Sequence, residues 1–412
     1  MKPRICVSAF VILVCLSPWA GGETYSVLPD GTGDYVTIQD AIDASASGDT
    51  ILLADGTFQG EGNRHISFRG KGIVLRSVSD NPELCIVDCD REGRGFRFDS
   101  GETRDAVLRG ITITNASYDG LGGGIACRYG SSPTIAMCIL TDNQATRGAG
   151  LYCGEESAPW IVDCRIAGNR TEMFPTPGTG AGMLCVASEP LLERCIVENN
   201  APGGAVGGIY CSASSVALRE CIIRGNLDVG IGCFSSSSLN IDRCTLTGNK
   251  WGAIDCYGSS ATITSSIIAV NWSPLFSAGV ACRNGSSITM RNTVIWGNCG
   301  RDYLDQIEVE EGSTVELECC LVDSACMGGE GTIAFIGEQV YSDPLFCDPP
   351  PCEEDPTTEG VFSIADISPC LPEYNPCGVL IGWTSVGCSL PPATQDTSWG
   401  RLKAAFRNGP ED

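Results

Sequence analysis

The chain has 412 residues, with 51 Gly, 25 Cys, 50 acidic against 26 basic side chains and one His. At 43% hydrophobic and 18% charged it is a folding sequence, not a disordered one. A formal charge of −24 argues against nucleic acid, anionic lipid or a bare polyanion as partner, and the lone His65 excludes His-rich metal sites.

Residues 1–22 read as a secretory signal. Lys2 and Arg4 start it, Ile5 to Leu16 is its apolar stretch, and Ala20-Gly21-Gly22 is a small-residue exit before Glu23. Cys15 follows bulky Val14, where a lipidated start carries a small residue. No segment is apolar for long enough to span a bilayer. The expected location is outside the cytoplasm: extracellular, cell surface or periplasm. Removing the signal takes away Cys6 and Cys15 and leaves an odd number of cysteines, so at least one thiol is free or pairs with another chain.

Residues 23–113 carry a helix signal, Thr37 as cap with Ile38, Ala41 and Ile42 on one face, then the strand-like Ile51-Leu52-Leu53. From 114 to 335 the chain repeats. A Gly/Ala-rich approach, an aliphatic residue, one variable residue and Cys recur at Cys127, Cys153, Cys185, Cys211, Cys233, Cys256 and Cys282. A second Cys follows ten or eleven residues later, at Cys138, Cys164, Cys195, Cys221 and Cys244, with Ser266 and Thr293 replacing it in the last two units. Five residues beyond stand Asn143, Asn169, Asn200, Asn226, Asn249, Asn271 and Asn298, with Asn115 aligned as an eighth member.

Each unit holds three segments too short for helices, separated by Gly, Ser and Asn turns. Such strands gain partners only by stacking on the equivalent strand one coil away, which makes parallel sheets. Alternation turns Ile125 and Cys127 inward and Ala126 outward. The Asn column suits left-handed turns and amide stacking along the axis. Gly124, Gly150, Gly182, Gly208, Gly230 and Gly279 mark positions of positive φ or close approach.

These repeats resemble the right-handed parallel β-helix proteins of the pectate-lyase-like superfamily, and "VLPDGTGDYVTIQDAIDASASGDTILLADGTF" at 27–58 is similar to the superfamily's helix-capped start. The resemblance implies an all-β solenoid of bacterial, secreted type, right-handed, with an N-terminal capping helix. We expect about ten coils and a rod near ~50 Å at ~4.8 Å per coil. Residues 336–388, with Cys347, Cys352, Cys370, Cys377 and Cys388, resemble the superfamily's closing module and are expected to form a disulfide-stapled cap. Residues 389–412 read as a linker and a short basic amphipathic tail with Trp399, Leu402 and Phe406 on one face.

The superfamily includes enzymes acting on acidic polysaccharides, but their motifs are missing here. The pectin-esterase Gln-Asp appears only as Gln395-Asp396 in the tail linker. The polygalacturonase Asn-Thr-Asp, Gly-His-Gly and Arg-Ile-Lys are absent, as is the pectate-lyase Asp-His pattern. Acids suffice to hold Ca²⁺, yet none stack in column, so no cofactor is expected unless the chain is a Ca²⁺-dependent enzyme. No CxxC occurs; the coil spacing of ~4.8 Å would permit disulfides between neighbouring coils, and the favoured reading of the coil cysteines is packed thiols.

Candidate ligand contacts are aromatic: Trp251, Trp272 and Trp296 near the Asn turn, and Tyr152 and Tyr210 on the outward stripe Ala126, Tyr152, Leu184, Tyr210. Residues Thr171 to Thr179, with Met173 and Phe174, are placed to fold over that stripe. A charged stripe through Asp163, Glu193-Arg194, Arg219-Glu220 and Asp242-Arg243 reads as a solvated face. The expected function is a monomeric, non-catalytic surface or matrix component binding carbohydrate or a protein neighbour through its lateral face. The alternative is a polysaccharide lyase or hydrolase with an unrecognised site. Carboxylate and Arg or Lys groups converging on one face across two or three coils would mark the enzyme. Aromatic columns without them would mark the binder.

Overall fold

The computed structural model describes residues 22–172, 178–274, 277–300, 306–323, 326–353 and 360–389. Residues 1–21 of the 1–22 segment expected to be a signal, Met173, Phe174 and the tail from 390 onward lie outside the described residues.

The strands stack into three long sheets. Sheet A has 13 strands, from Thr24–Val27 to Thr332–Ile336; sheet B has 11, from Gly56–Phe58 to Leu321–Val322; sheet C has 11, from Ile66–Ser67 to Met327–Gly329. Pairing within each sheet is parallel, and each strand bonds to its counterpart one coil away. The solenoid therefore has about 13 coils, not ten, and is about 60 Å long at the coil spacing. The Gly/Cys/Asn markers under-count it, because the N-terminal coils fill the inward column with other residues. Phe96 and Phe98 pair in register with Ile125 and Cys127. The first coils are covered by helix α1 (Ile38–Ala44). Thr37 caps it by accepting the Asp40 N–H, and Ile38, Ala41 and Ile42 are fully buried.

Each coil turns three corners, and each corner carries a side-chain ladder. After sheet B, the amide of Asn200 accepts the backbone N–H and the Nδ2–H of Asn169, both at 3.0 Å, and donates to the Ile166 carbonyl. The same pattern runs from Asn143 to Asn298. The left-handed backbone falls on the residue before each Asn (Asp142, Asn199, Val270), which frees the Asn to point inward. Asn115 is therefore out of column. It takes the place of Asp142, with φ 55°, and its amide donates to Asp88. Ala116 occupies the ladder position, its N–H donating to Asn143 Oδ1 at 3.0 Å. The glycine column has no positive φ; a Cβ on Gly150 would lie 2.5 Å from the Gly182 carbonyl and 2.9 Å from Asn169 Nδ2.

Between sheets A and B the second Cys column does similar work. The N–H of Cys138, Cys195 and Cys221 points at the sulfur of the next coil, and that of Cys244 at Ser266 Oγ at 3.0 Å. The corner needs a small acceptor, which is why Cys, Ser and Thr exchange there. A third ladder, of serines, closes the corner between sheets C and A: Ser188 N–H donates to Ser214, Ser214 to Ser237, Ser237 to Ser259 and Ser259 to Ser286. The first column, Cys127 to Cys282, pairs strand to strand in register inside sheet C, every thiol free and buried.

The cysteine-rich segment lies along the outer face of sheet B. Outward Ile267, Ala269, Val294 and Leu321 are apolar in the last coils and pack with Val340, Ile364, Cys370 and Ile381. Burying that stripe favours a flank over an end-cap position. Disulfides Cys299–Cys352 and Cys319–Cys377 tie the segment to the coils, and Cys347–Cys388 staples it internally. Reduction without denaturant is expected to open residues 336–388 to protease while the far-ultraviolet circular dichroism of the coils persists. Loss of both together would show that the coils depend on this flank.

Candidate functional site

The outward residues of sheet C form one column by register: Arg97, Ala126, Tyr152, Leu184, Tyr210, Gly232, Asp255, Ala281 and Glu308. Beside it Phe234, Tyr257 and Arg283 form a second. Along the axis the face changes from apolar to charged.

In the apolar part, Ala126, Tyr152 and Leu184 form a small cluster outside the coil, flanked by Leu121, Val186 and Tyr210. Tyr152 is only 3% exposed, so it is covered and presents no platform. Tyr210 is half-buried and stacks on Phe234, ring centroids 4.8 Å apart and planes 23° from parallel. Gly232 makes that stack possible, because a Cβ there would sit 2.6 Å from the Phe234 ring.

Next along the axis is a cleft of about 310 Å³ lined by Asp228, Val229, Trp251, Asp255, Ser277 and Arg283. Asp255 and Arg283 form a bidentate pair, Nε to Oδ1 at 3.0 Å and Nη2 to Oδ2, each side chain 14% exposed. Such a pair is rigid and strongly oriented. Asp228 Oδ1 accepts the N–H of Val206 at 2.9 Å and of Val229 at 2.7 Å. Burial pushes the Asp228 carboxyl up, these backbone donors oppose that, and Asp255 adds to the rise. Glu308 accepts the Ser277 N–H at 3.2 Å, and the buried Ser277 hydroxyl has no hydrogen-bond partner among the described residues.

The three tryptophans do not form a single platform. Trp251 opens onto this cleft, with φ 99° and its N–H bonded to the Trp272 carbonyl. Trp272 is half-buried with Lys250 Nζ 5.9 Å from its ring centre. Trp296 packs under the C-terminal segment on sheet B. The charged stripe is a set of ion pairs, Arg194–Asp163, Arg219–Glu193 and Arg243–Glu220, each at least one-third exposed on its Arg. Among the described residues no group of three or more His, Cys, Asp or Glu is placed to hold a metal ion.

The family model described as right handed beta helix region matches residues 51–207 and 207–331. The chain belongs to that β-helix family. No curated protein matches its sequence. Among solved structures, pectate lyase Pel9A is similar with a TM-score of 0.50 at 14% identity, over 89% of this chain and 97% of that one. A pectin methylesterase from carrot has a TM-score of 0.33 at 14% identity, over 77% and 89% of the two chains. A rhamnogalacturonan lyase has 0.32 at 12%, over 90% and 98%. At these identities the likeness is one of fold.

Within this β-helix the residues that sequence reading missed are Asp228, Asp255, Arg283 and Glu308. Three of them carried a signal. Asp255 precedes Cys256 and Arg283 follows Cys282, so extending the outward column past Tyr210 reaches Gly232, Asp255, Ala281 and Glu308. Asp228 lies in a connection of variable length and has no periodic mark.

Proposed function

We propose that this β-helix protein is secreted and binds polysaccharide along the outer face of sheet C, with the Asp255–Arg283 cleft as its principal subsite. The observation that carries the reading is the continuity of that face. A half-exposed aromatic stack runs directly into a concave site with an oriented charged pair and a Trp edge. Aromatic faces bind sugar rings by apolar contact, while fixed polar groups orient the hydroxyls. The three disulfides and the leader-like start support an oxidising location. No helix among the described residues is long and apolar enough to cross a membrane. An exclusively non-catalytic role is not part of this reading, because the carboxylate and guanidinium cluster expected of an enzyme stands on the same face.

The test is co-sedimentation of the mature protein with a panel of insoluble polysaccharides, and affinity electrophoresis with soluble ones. Arg283→Ala and Trp251→Ala are each expected to weaken binding about 10-fold or more, the loss of one good anchor. Unchanged binding in both variants would place the function elsewhere on the coil.

A further inference from the structure

The charges on the sheet C cleft are unequal, and they select among sugars. Among the described residues lining it, Asp228 and Asp255 are the acids and Arg283 is the one base. Both Asp255 oxygens are taken by Arg283, so that pair neutralises itself. Asp228 has no such partner. Its Oδ1 accepts the Val206 and Val229 N–H groups, and no donor among the described residues reaches its Oδ2.

The wall beyond stays acidic. Glu308 follows Ala281 in the outward column, and Glu310 accepts the Asn284 N–H at 3.2 Å. Burial works against the Arg283 charge, but the Asp255 bond and the charges of Asp255, Glu310 and Glu308 hold its guanidinium above its ordinary range. Four carboxylates therefore share this stretch of the face with one guanidinium. Lys250, next to Trp251 in the chain, sits by the Trp272 ring and is not part of the described lining. A separate observation marks a place for a polar ligand atom. Ser277 is 3% exposed and lines the cleft, with its hydroxyl unpaired among the described residues. Buried hydroxyls are ordinarily paired.

A ligand for this wall needs an apolar ring face for Trp251, hydroxyls for the Asp255–Arg283 pair and Ser277, and a positive charge for Asp228. A uronate carries the wrong sign. An uncharged sugar covers Asp228 and leaves its charge uncompensated. We propose, on the basis of the binding reading above, that the glycan this cleft takes bears amino groups, with an ammonium seated on Asp228 Oδ2. The Asp255–Arg283 pair orients neighbouring hydroxyls, and Trp251 lies along the ring. The field of a chain of formal charge −24 favours the approach of such a glycan.

The experiment measures binding of the mature protein, by titration calorimetry, to short β-linked oligomers of glucosamine, glucose and N-acetylglucosamine, which share one backbone. A galacturonate oligomer is the acidic control, and the pH is mildly acidic so that the amines are protonated. The glucosamine oligomer is expected to bind at least about 10-fold more tightly than either uncharged one at low salt, with the gap narrowing as salt rises. Asp228→Asn keeps the Oδ1 acceptor for both backbone donors and is expected to remove most of that gap. Asp163→Asn takes the same charge from the exposed stripe and is expected to keep it. If thermal melts show that Asp228→Asn does not fold, Glu308→Gln takes its place, with a narrower gap expected. Equal affinity for amino and uncharged oligomers, tightest binding of galacturonate, or no binding of the glucosamine oligomer overturns the amino-glycan assignment. Polysaccharide binding that persists in those cases leaves the binding reading intact. A gap that survives in Asp228→Asn, or narrows as much in Asp163→Asn, assigns the preference to overall charge and overturns it too. Absence of binding to every oligomer and every polysaccharide overturns both readings.

Discussion

Replacing Asn200 by leucine is expected to destabilise the protein by about 2–6 kcal/mol, at about 1–3 kcal/mol for each of two buried donors left unpaired. The side chain sits in the middle of the ladder with no solvent exposure. Its removal orphans the Asn169 backbone N–H and one Asn169 amide hydrogen, and takes one donor from the Ile166 carbonyl. None of these groups gains water, because the corner is closed by the next coil. Urea unfolding of the variant against the parent measures the loss. A change under about 1 kcal/mol, within the range of an ordinary surface substitution, would show that the amide column follows the corner and does not hold it.

The two cysteine columns should respond oppositely to serine. Cys211 is fully buried in the first column, in register between Cys185 and Cys233. Among the described residues no carbonyl accepts from its thiol, and thiol sulfurs are weak acceptors, so Cys211→Ser is expected to cost about 1–3 kcal/mol. Cys221 lies in the corner column, its sulfur near the Leu192 and Arg219 carbonyls and receiving the Cys195 N–H. Ser266 fills the same place two coils on, with bonds at 2.7 and 3.0 Å. Cys221→Ser is therefore expected to be near neutral, and Cys221→Val to cost about 1 kcal/mol through the lost acceptor. Parallel urea midpoints decide it. Equal responses at Cys211 and Cys221 would mean that both columns are plain packing.

The same contrast explains what was legible beforehand. Inward positions repeat because the coil interior is narrow and each strand alternates about its own backbone, so Cys127, Asn143 and their successors carry a local period. The parallel coil, its capping helix and its inward columns follow from that period. The displacement of Asn115 by one residue did not, because Asn suits both the left-handed corner and the ladder, and only strand register separates them. The serine ladder was legible in principle, in Ser188, Ser214, Ser237, Ser259 and Ser286, but serine is also what any turn contains.

From its sequence alone this protein is a stack of short parallel strands with an apolar, thiol-rich interior, because burial and backbone alternation act within a single coil. Tertiary structure alone decided that the cysteine-rich segment covers the outward Ile267, Val294 and Leu321. It also decided that Asp228 meets Asp255 and Arg283 on one wall. Those contacts join residues from different coils through connections of unequal length. Their meeting depends on where each connection leaves and rejoins the stack, and no periodic pattern in the chain encodes that.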